Sequence, residues 1–248
     1  MLAALVLSTI SVSPVTIPAD GSTAIATQAV NAFGLDLFRQ VAKADAIALL
    51  SPYSIQNTLA VAYAGAAGVT REEVARVLHY PKDETQTHGS FAELRRELAA
   101  VVSKSEDRVA EIKRHVPDAK EDPITLAVAN RLIGQAGYDF RPQFLALLKD
   151  EYAAPFEAVD FIHNAPAVTK QVNAWVEERT RKRLGEVLSP DSLDEFTRLV
   201  LVNAIYFKSG WVKPFDASDT APEPFHINGR IRQDVPMMRR RADLREAD

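Results

Sequence analysis

Apolar positions along the chain follow two periods. In residues 28–42, Ala29, Phe33, Leu37, Phe38 and Val41 recur at helical spacing. Behind Ser51-Pro52 a second helical face is predicted from Ile55, Leu59, Ala62, Tyr63 and Ala66, with Ser51 as N-cap, Pro52 in the first turn and Gly68 as the stop. Thr70-Arg71-Glu72-Glu73 has capping-box spacing and predicts a short helix with Val74, Val77 and Leu78 inward, ended by Pro81. The polar stretch 82–123 predicts one helix over residues 91–102. A strand is predicted over 124–133, broken by Gly134 and Gly137, followed by a helix from Pro142 carrying Phe144, Leu147 and Leu148. A short strand at 158–161 and an amphipathic helix after Pro166, with Val168, Val172, Trp175 and Val176 on one face, complete this part.

The strongest pattern is the run 199–207, Leu-Val-Leu-Val-Asn-Ala-Ile-Tyr-Phe. A short, branched and aromatic run without alternation predicts a strand covered on both faces. Its single amide, Asn203, must find hydrogen-bond partners there, since an unpaired buried amide costs about 1–3 kcal/mol. With helices first and strands later, separated by helical stretches, the order predicts an α+β domain without internal repeats.

Composition changes this picture little. The 248 residues are 47% hydrophobic and 25% charged, with a formal net charge of −4, which argues against a general nucleic-acid binder. The absence of Cys excludes disulfides and thiolate metal sites. Residues 1–12 are mostly apolar, too short to span a bilayer, and suit a signal peptide whose cleavage site lies before Ala26, although no Lys or Arg precedes them. Secretion is the expectation, a cytoplasmic location the alternative. Residues 1–27 thus form a signal peptide or linker.

No catalytic constellation emerges. There is no Gly-x-Ser-x-Gly elbow, no Gly-x-Gly-x-x-Gly and no phosphate loop ending in Gly-Lys-Ser/Thr. The histidines His79, His88, His115, His163 and His226 are scattered, and none opens a His-Glu-x-x-His motif. The reading is of a non-enzyme with no cofactor and no metal.

Two blocks, far apart in the chain, resemble the serpin family of serine protease inhibitors. The first holds Asn31-Ala32-Phe33, then Ser51-Pro52-Tyr53-Ser54-Ile55 at a strand-to-helix junction, and Gly65 to Leu78. The second holds Asn203, Phe207-Lys208, Trp211, Phe215, Thr220, Phe225 and Val235-Pro236-Met237-Met238. Val172-Asn173-Ala174-Trp175-Val176-Glu177 and Thr180 resemble the helix that lies across the family's large sheet. Ser209-Gly210 departs from the commoner pattern, in which Gly directly follows the Lys.

The resemblance implies a serpin-like fold, with strand 124–133 beside strand 199–207. It also implies a mechanical function: a serine protease attacks a reactive loop near the C-terminus, is acylated, and is trapped as the cut loop inserts into the large sheet. It places Ser51, Pro52, Ser54 and Asn203 in the shutter under the sheet opening and Trp211 at the breach where insertion begins. Some members bind heparin through the helix within 82–123, but here Glu93, Glu97, Glu106, Asp107 and Glu111 interleave with Arg95, Arg96, Lys104, Arg108 and Lys113, which argues against heparin binding. The resemblance covers residues 28–238; 239–248 resemble nothing in the family. Because the reactive loop lies beyond the matched part, the expectation is an incomplete, N-terminal serpin portion that is not inhibitory by itself. The alternative is a non-inhibitory binding fragment.

Overall fold

The computed structural model describes residues 21–42, 48–211, 214–227, 229 and 231–240. The signal-peptide reading of residues 1–12 falls outside them. Among the described residues the helices are α1 (Ala24–Val41), α2 (Pro52–Gly65), α3 (Gly68–Val77), α4 (Glu84–His115), α5 (Pro142–Tyr152) and α6 (Phe161–Arg179). The strands are β1 (Thr125–Gln135), β2 (Phe156–Val159), β3 (Leu199–Lys208), β4 (Ala221–Ile227) and β5 (Ile231–Met237). They form a three-stranded sheet in the order β2-β1-β3 and a separate β4-β5 hairpin. β1 runs parallel to β2 and antiparallel to β3, with Asn130 directly opposite Asn203.

Strand alternation divides the hydrophobic side chains between two cores. Leu132, Leu199 and Leu201 point to one face, where they join Phe33 of α1, Ala60, Val61 and Tyr63 of α2, Phe91 of α4, and Leu148 and Tyr152 of α5. Ile133, Val200 and Val202 point to the other, against Phe161, Val168, Val172 and Val176 of α6. Two-sided cover is why the 199–207 run is apolar at successive positions. The cover is incomplete: along β3 only Ala204 is fully buried, and Phe207 is 66% exposed. Among the described residues no strand lies on the outer side of β3.

Several elements depart from the sequence expectation. α1 begins at Ala24, a turn earlier, with the Ala26 amide donating to Ser90 Oγ at 2.9 Å. On α2 the buried face is Gln56, Asn57, Ala60, Val61 and Tyr63, while Ala62 is exposed and Ala66 only half-buried. The polar residues enter because Gln56 Nε2 donates to the Ala29 and Leu78 carbonyls at 3.0 and 3.1 Å. Gly68 does not stop α2; it opens α3 with φ +55, and the Thr70 capping box does not form because the helix is already under way. Arg71 instead donates to the Ala66 carbonyl and pairs with Glu84 at 2.6 Å.

α4 extends far beyond 91–102. Asp83 caps it by accepting from the Gln86 amide, Lys113, Arg114 and His115 complement the dipole in its last turn, and its exposed face carries Glu–Arg pairs one turn apart. Gly134 does not break β1. It lies inside the strand because a methyl there would fall into the rings of Phe156 and Phe140, so glycine permits their close approach. β2 spans Phe156–Val159 rather than 158–161, since Asp160 caps α6 by accepting from the His163 amide at 3.2 Å. α6 therefore starts before Pro166 and bends at Asn164 (φ −131). Residues 48–50, before Ser51, form no strand.

Candidate gate beneath the sheet

The hydrogen-bonding pattern of β1 and β3 explains how two amides come to face each other. The Gln135 amide donates to the Arg198 carbonyl, and the register carries this alternation down the pair, so Asn130 and Asn203 sit at a position without ladder bonds. Side chains approach most closely at such positions. Asn130 is two residues from Leu132 and Asn203 two from Leu201, so both amides project toward the helices of the first core.

There Asn203 Nδ2 donates to Asn130 Oδ1 at 2.6 Å, and Asn130 Nδ2 donates to the Tyr152 carbonyl at 3.0 Å. Tyr152 is the last residue of α5, whose carbonyl has no partner within the helix; Asn130 supplies one. From the helix side, the Ser54 hydroxyl donates to Asn203 Oδ1. Ser54 stands in the first turn of α2, where its own amide donates to Ser51 Oγ at 3.4 Å. Pro52 occupies the first turn and packs on Gly34 of α1, where an added methyl would lie 2.7 Å from Pro52 Cγ. Helix α2 is thus tied through Ser54 to β3, and through the two asparagines to β1 and α5.

Four of the residues singled out in the sequence, Ser51, Pro52, Ser54 and Asn203, therefore come together. Trp211 does not join them. It lies past the end of β3, 68% exposed, edge-on to Phe215 with ring centroids 5.7 Å apart. Asn130 and Tyr152 complete the tie. Asn130 was visible as an amide near the end of the predicted strand, but a lone amide does not name its partner; Tyr152 contributes a backbone atom, which leaves no side-chain signal.

The chemistry available here is hydrogen bonding between neutral groups. Burial pushes the Tyr152 phenol above its ordinary range and keeps it protonated, while the His88 imidazole beside it is lowered from 6.5, chiefly by burial against the opposing influence of Glu84. Among the described residues no group of His, Asp or Glu side chains is placed to hold a metal ion, and no helix is long and apolar enough to cross a membrane. An open cleft of about 530 Å³ borders β1, β2 and α6. Its charged groups are Arg131, Glu157 and Arg179, with Arg131 Nε donating to Glu157 at 2.9 Å and both guanidinium groups over Trp175.

Comparison with known proteins agrees with this arrangement. The family model for serpins (serine protease inhibitors) matches residues 28–248, and so takes in residues 239–248, which the sequence reading left outside the resemblance. The chain is 36% identical over 208 residues to a leukocyte elastase inhibitor of Xenopus tropicalis, covering 83% of this chain and 50% of that protein. Among solved structures, emu ovalbumin superposes with a TM-score of 0.70 at 26% identity, covering 86% of this chain and 54% of that one. An Arabidopsis serpin in its native stressed conformation superposes with a TM-score of 0.68 at 27% identity, covering 88% and 52%. The chain spans about half the length of the curated relatives it matches. With helices on a mixed sheet and a family match over most of its length, the chain belongs to the serpin family, whose members are serine protease inhibitors rather than enzymes.

Proposed function

We propose that this chain carries the sheet-opening gate of a serine protease inhibitor that works by loop insertion. The observation that carries the reading is the Ser54–Asn203–Asn130 chain of hydrogen bonds, which ties one helix to two adjacent strands beneath the sheet. In this reading Ser51 and Pro52 fix the start of α2, Ser54 and Asn203 form the latch, and Trp211 marks the upper end of the opening. The outer edge of β3 is the wall that receives the inserting strand. Strand addition suits this wall, because its backbone groups, which no strand among the described residues pairs, and its apolar side chains gain ladder bonds and buried area together.

The partner in this reading is a serine protease, met by an inhibitor that also carries a reactive loop. The relatives are matched over about half their length, which supports treating these 248 residues as the gate-bearing half. Incubating the 248-residue chain with trypsin, chymotrypsin, elastase and subtilisin and separating the products on a denaturing gel tests this. No detergent-resistant complex is expected; a covalent band with any of the four would contradict the assignment of inhibition to a longer protein. Secretion through residues 1–12 is a separate proposal, checked by whether the protein exported from cells has lost those residues.

A further inference from the structure

Tyr152 makes two contacts at opposite ends. Its carbonyl accepts from Asn130 of the gate, and its phenol oxygen lies 2.6 Å from His88 Nδ1 on α4. His88 is 2% exposed, and its ring meets Tyr152 at 82° with centroids 5.6 Å apart. Among the described residues His88 Nε2 has no hydrogen-bond partner; Glu84 Oε1, one turn away on the same helix, lies 3.7 Å from it. We propose that His88 is a positioning residue for the gate, acting through Tyr152 on Asn130, and that protonating it loosens the link between α5 and the β1–β3 pair.

The direction of one hydrogen bond carries the argument. A buried phenol keeps its proton, and assigning the Tyr152 hydroxyl as donor to Nδ1 gives that hydrogen an acceptor and puts the N–H of the neutral imidazole on Nε2, facing Glu84. A second ring proton goes on Nδ1. The Tyr152 oxygen must then accept, which leaves the phenolic hydrogen without its acceptor in a buried place. The imidazolium is at the same time drawn toward Glu84, across a gap that is too long for a hydrogen bond while Nδ1 stays on Tyr152.

The other groups around the ring do not offset this. Tyr63 of α2 presents its ring at 5.6 Å, Glu151 of α5 adds a more distant negative charge, and Arg71 of α3 is already paired with Glu84 at 2.6 Å. Both consequences pull on Tyr152, the terminal residue of α5, after which Ala153 turns the chain at φ 49. A displaced Tyr152 takes its carbonyl from Asn130 Nδ2, and Asn130 loses the contact that holds Oδ1 toward Asn203.

The inference rests on the gate reading, and side-chain amide resonances of the isotopically labelled 248-residue protein separate the two. In wild type the Asn130 amide pair is expected to shift with the same midpoint as the His88 ring, below pH 6.5. In Tyr152→Phe, His88 still titrates but Asn130 no longer responds. An Asn130 signal that stays flat through the His88 transition, or one that still follows it in Tyr152→Phe, overturns the proposal. The wild-type titration decides the matter alone should the variant not fold. Ser54→Ala at pH 7.5 tests the gate independently: an unmoved Asn203 amide contradicts the gate, whereas a moved Asn203 with a flat Asn130 titration contradicts only the His88 link.

Discussion

Asn203 sits where a sheet of this composition would otherwise hold another Val or Leu, and its two side-chain bonds explain why an amide is tolerated there. Replacing it with Ala leaves the Ser54 hydroxyl and Asn130 Oδ1 without their partner in a half-buried place, and a loss of about 1–3 kcal/mol is expected in urea unfolding. Gln56 makes a comparable case. It is fully buried and its Nε2 joins α1 to the end of α3, so Gln56→Leu, close in volume, is expected to cost about 1 kcal/mol through loss of both bonds, the Ala29 carbonyl keeping its partner within α1 and removal of the unpartnered Gln56 Oε1 offsetting part of the loss. Exposed pairs such as Glu111–Arg114 serve as controls, with Arg114→Ala changing stability by less than about 0.5 kcal/mol. His88 adds a pH dependence whose sign follows from its lowered value. The folded protein holds it neutral, so the stabilisation is complete above 6.5, where the unfolded chain is also neutral, and is lost as pH falls from 6.5 toward the lower folded value. Urea midpoints measured from pH 7.5 to 5 should therefore fall more for wild type than for His88→Phe; equal slopes would show that His88 contributes nothing. The latch was half legible in the sequence. A lone amide in an apolar run announces a need for partners, and Ser-Pro before a helical face announces a cap. Their meeting is a long-range fact, and the Tyr152 carbonyl is invisible to any reading of side chains.

At the scale of elements, β3 has two unlike edges. The register with β1 points the amides of Val200, Val202, Ala204 and Tyr206 inward to ladder bonds, while those of Leu201, Asn203, Ile205 and Phe207 point away from β1. Hydrogen exchange should separate the two sets, the inward amides exchanging slowly and the outward ones fast; equal protection along β3 would mean that its outer edge is covered. Gly134 tests the packing between β1 and β2. Gly134→Ala forces a methyl toward Phe140 and Phe156 and is expected to cost about 1–3 kcal/mol, seen as a lowered urea midpoint. The element least legible in the sequence was α4, because past Ala92 it is mostly exposed and charged, with Val109 buried, and carries little apolar periodicity to mark its length. Its extension keeps both signs of charge along the exposed face, and the protein should leave a heparin column at low salt. The face of α2 was misread for a different reason: periodicity assumes that the apolar residues are buried, whereas Gln56 and Asn57 are the ones that reach backbone carbonyls.

For the whole molecule, the two cores lie on opposite faces of one small sheet, and the latch lies on the α2–α5 side. Helix α6 covers the other face through Ile133, Val168, Val172 and Val176, and Arg181 lies over the Tyr206 ring at 4.9 Å. In the proposed reading, opening the sheet beside β3 leaves the β1–β3 pair and both cores in place, and the polar chain beneath sets how readily that side yields. Family membership was readable from two separated blocks of sequence, because caps, lone amides and aromatic spacings are local features. The geometry of Trp211 was not: it stands apart from the latch, exposed, with its ring edge-on to Phe215. The most direct test of the latch is a double-mutant cycle between Ser54→Ala and Asn203→Ala, read by urea unfolding of the 248-residue chain at pH 7.5. A coupling of about 1 kcal/mol or more is predicted, with the double variant losing less than the sum of the singles. Additive losses, within about 0.3 kcal/mol, would show that the two side chains act independently and would contradict the gate.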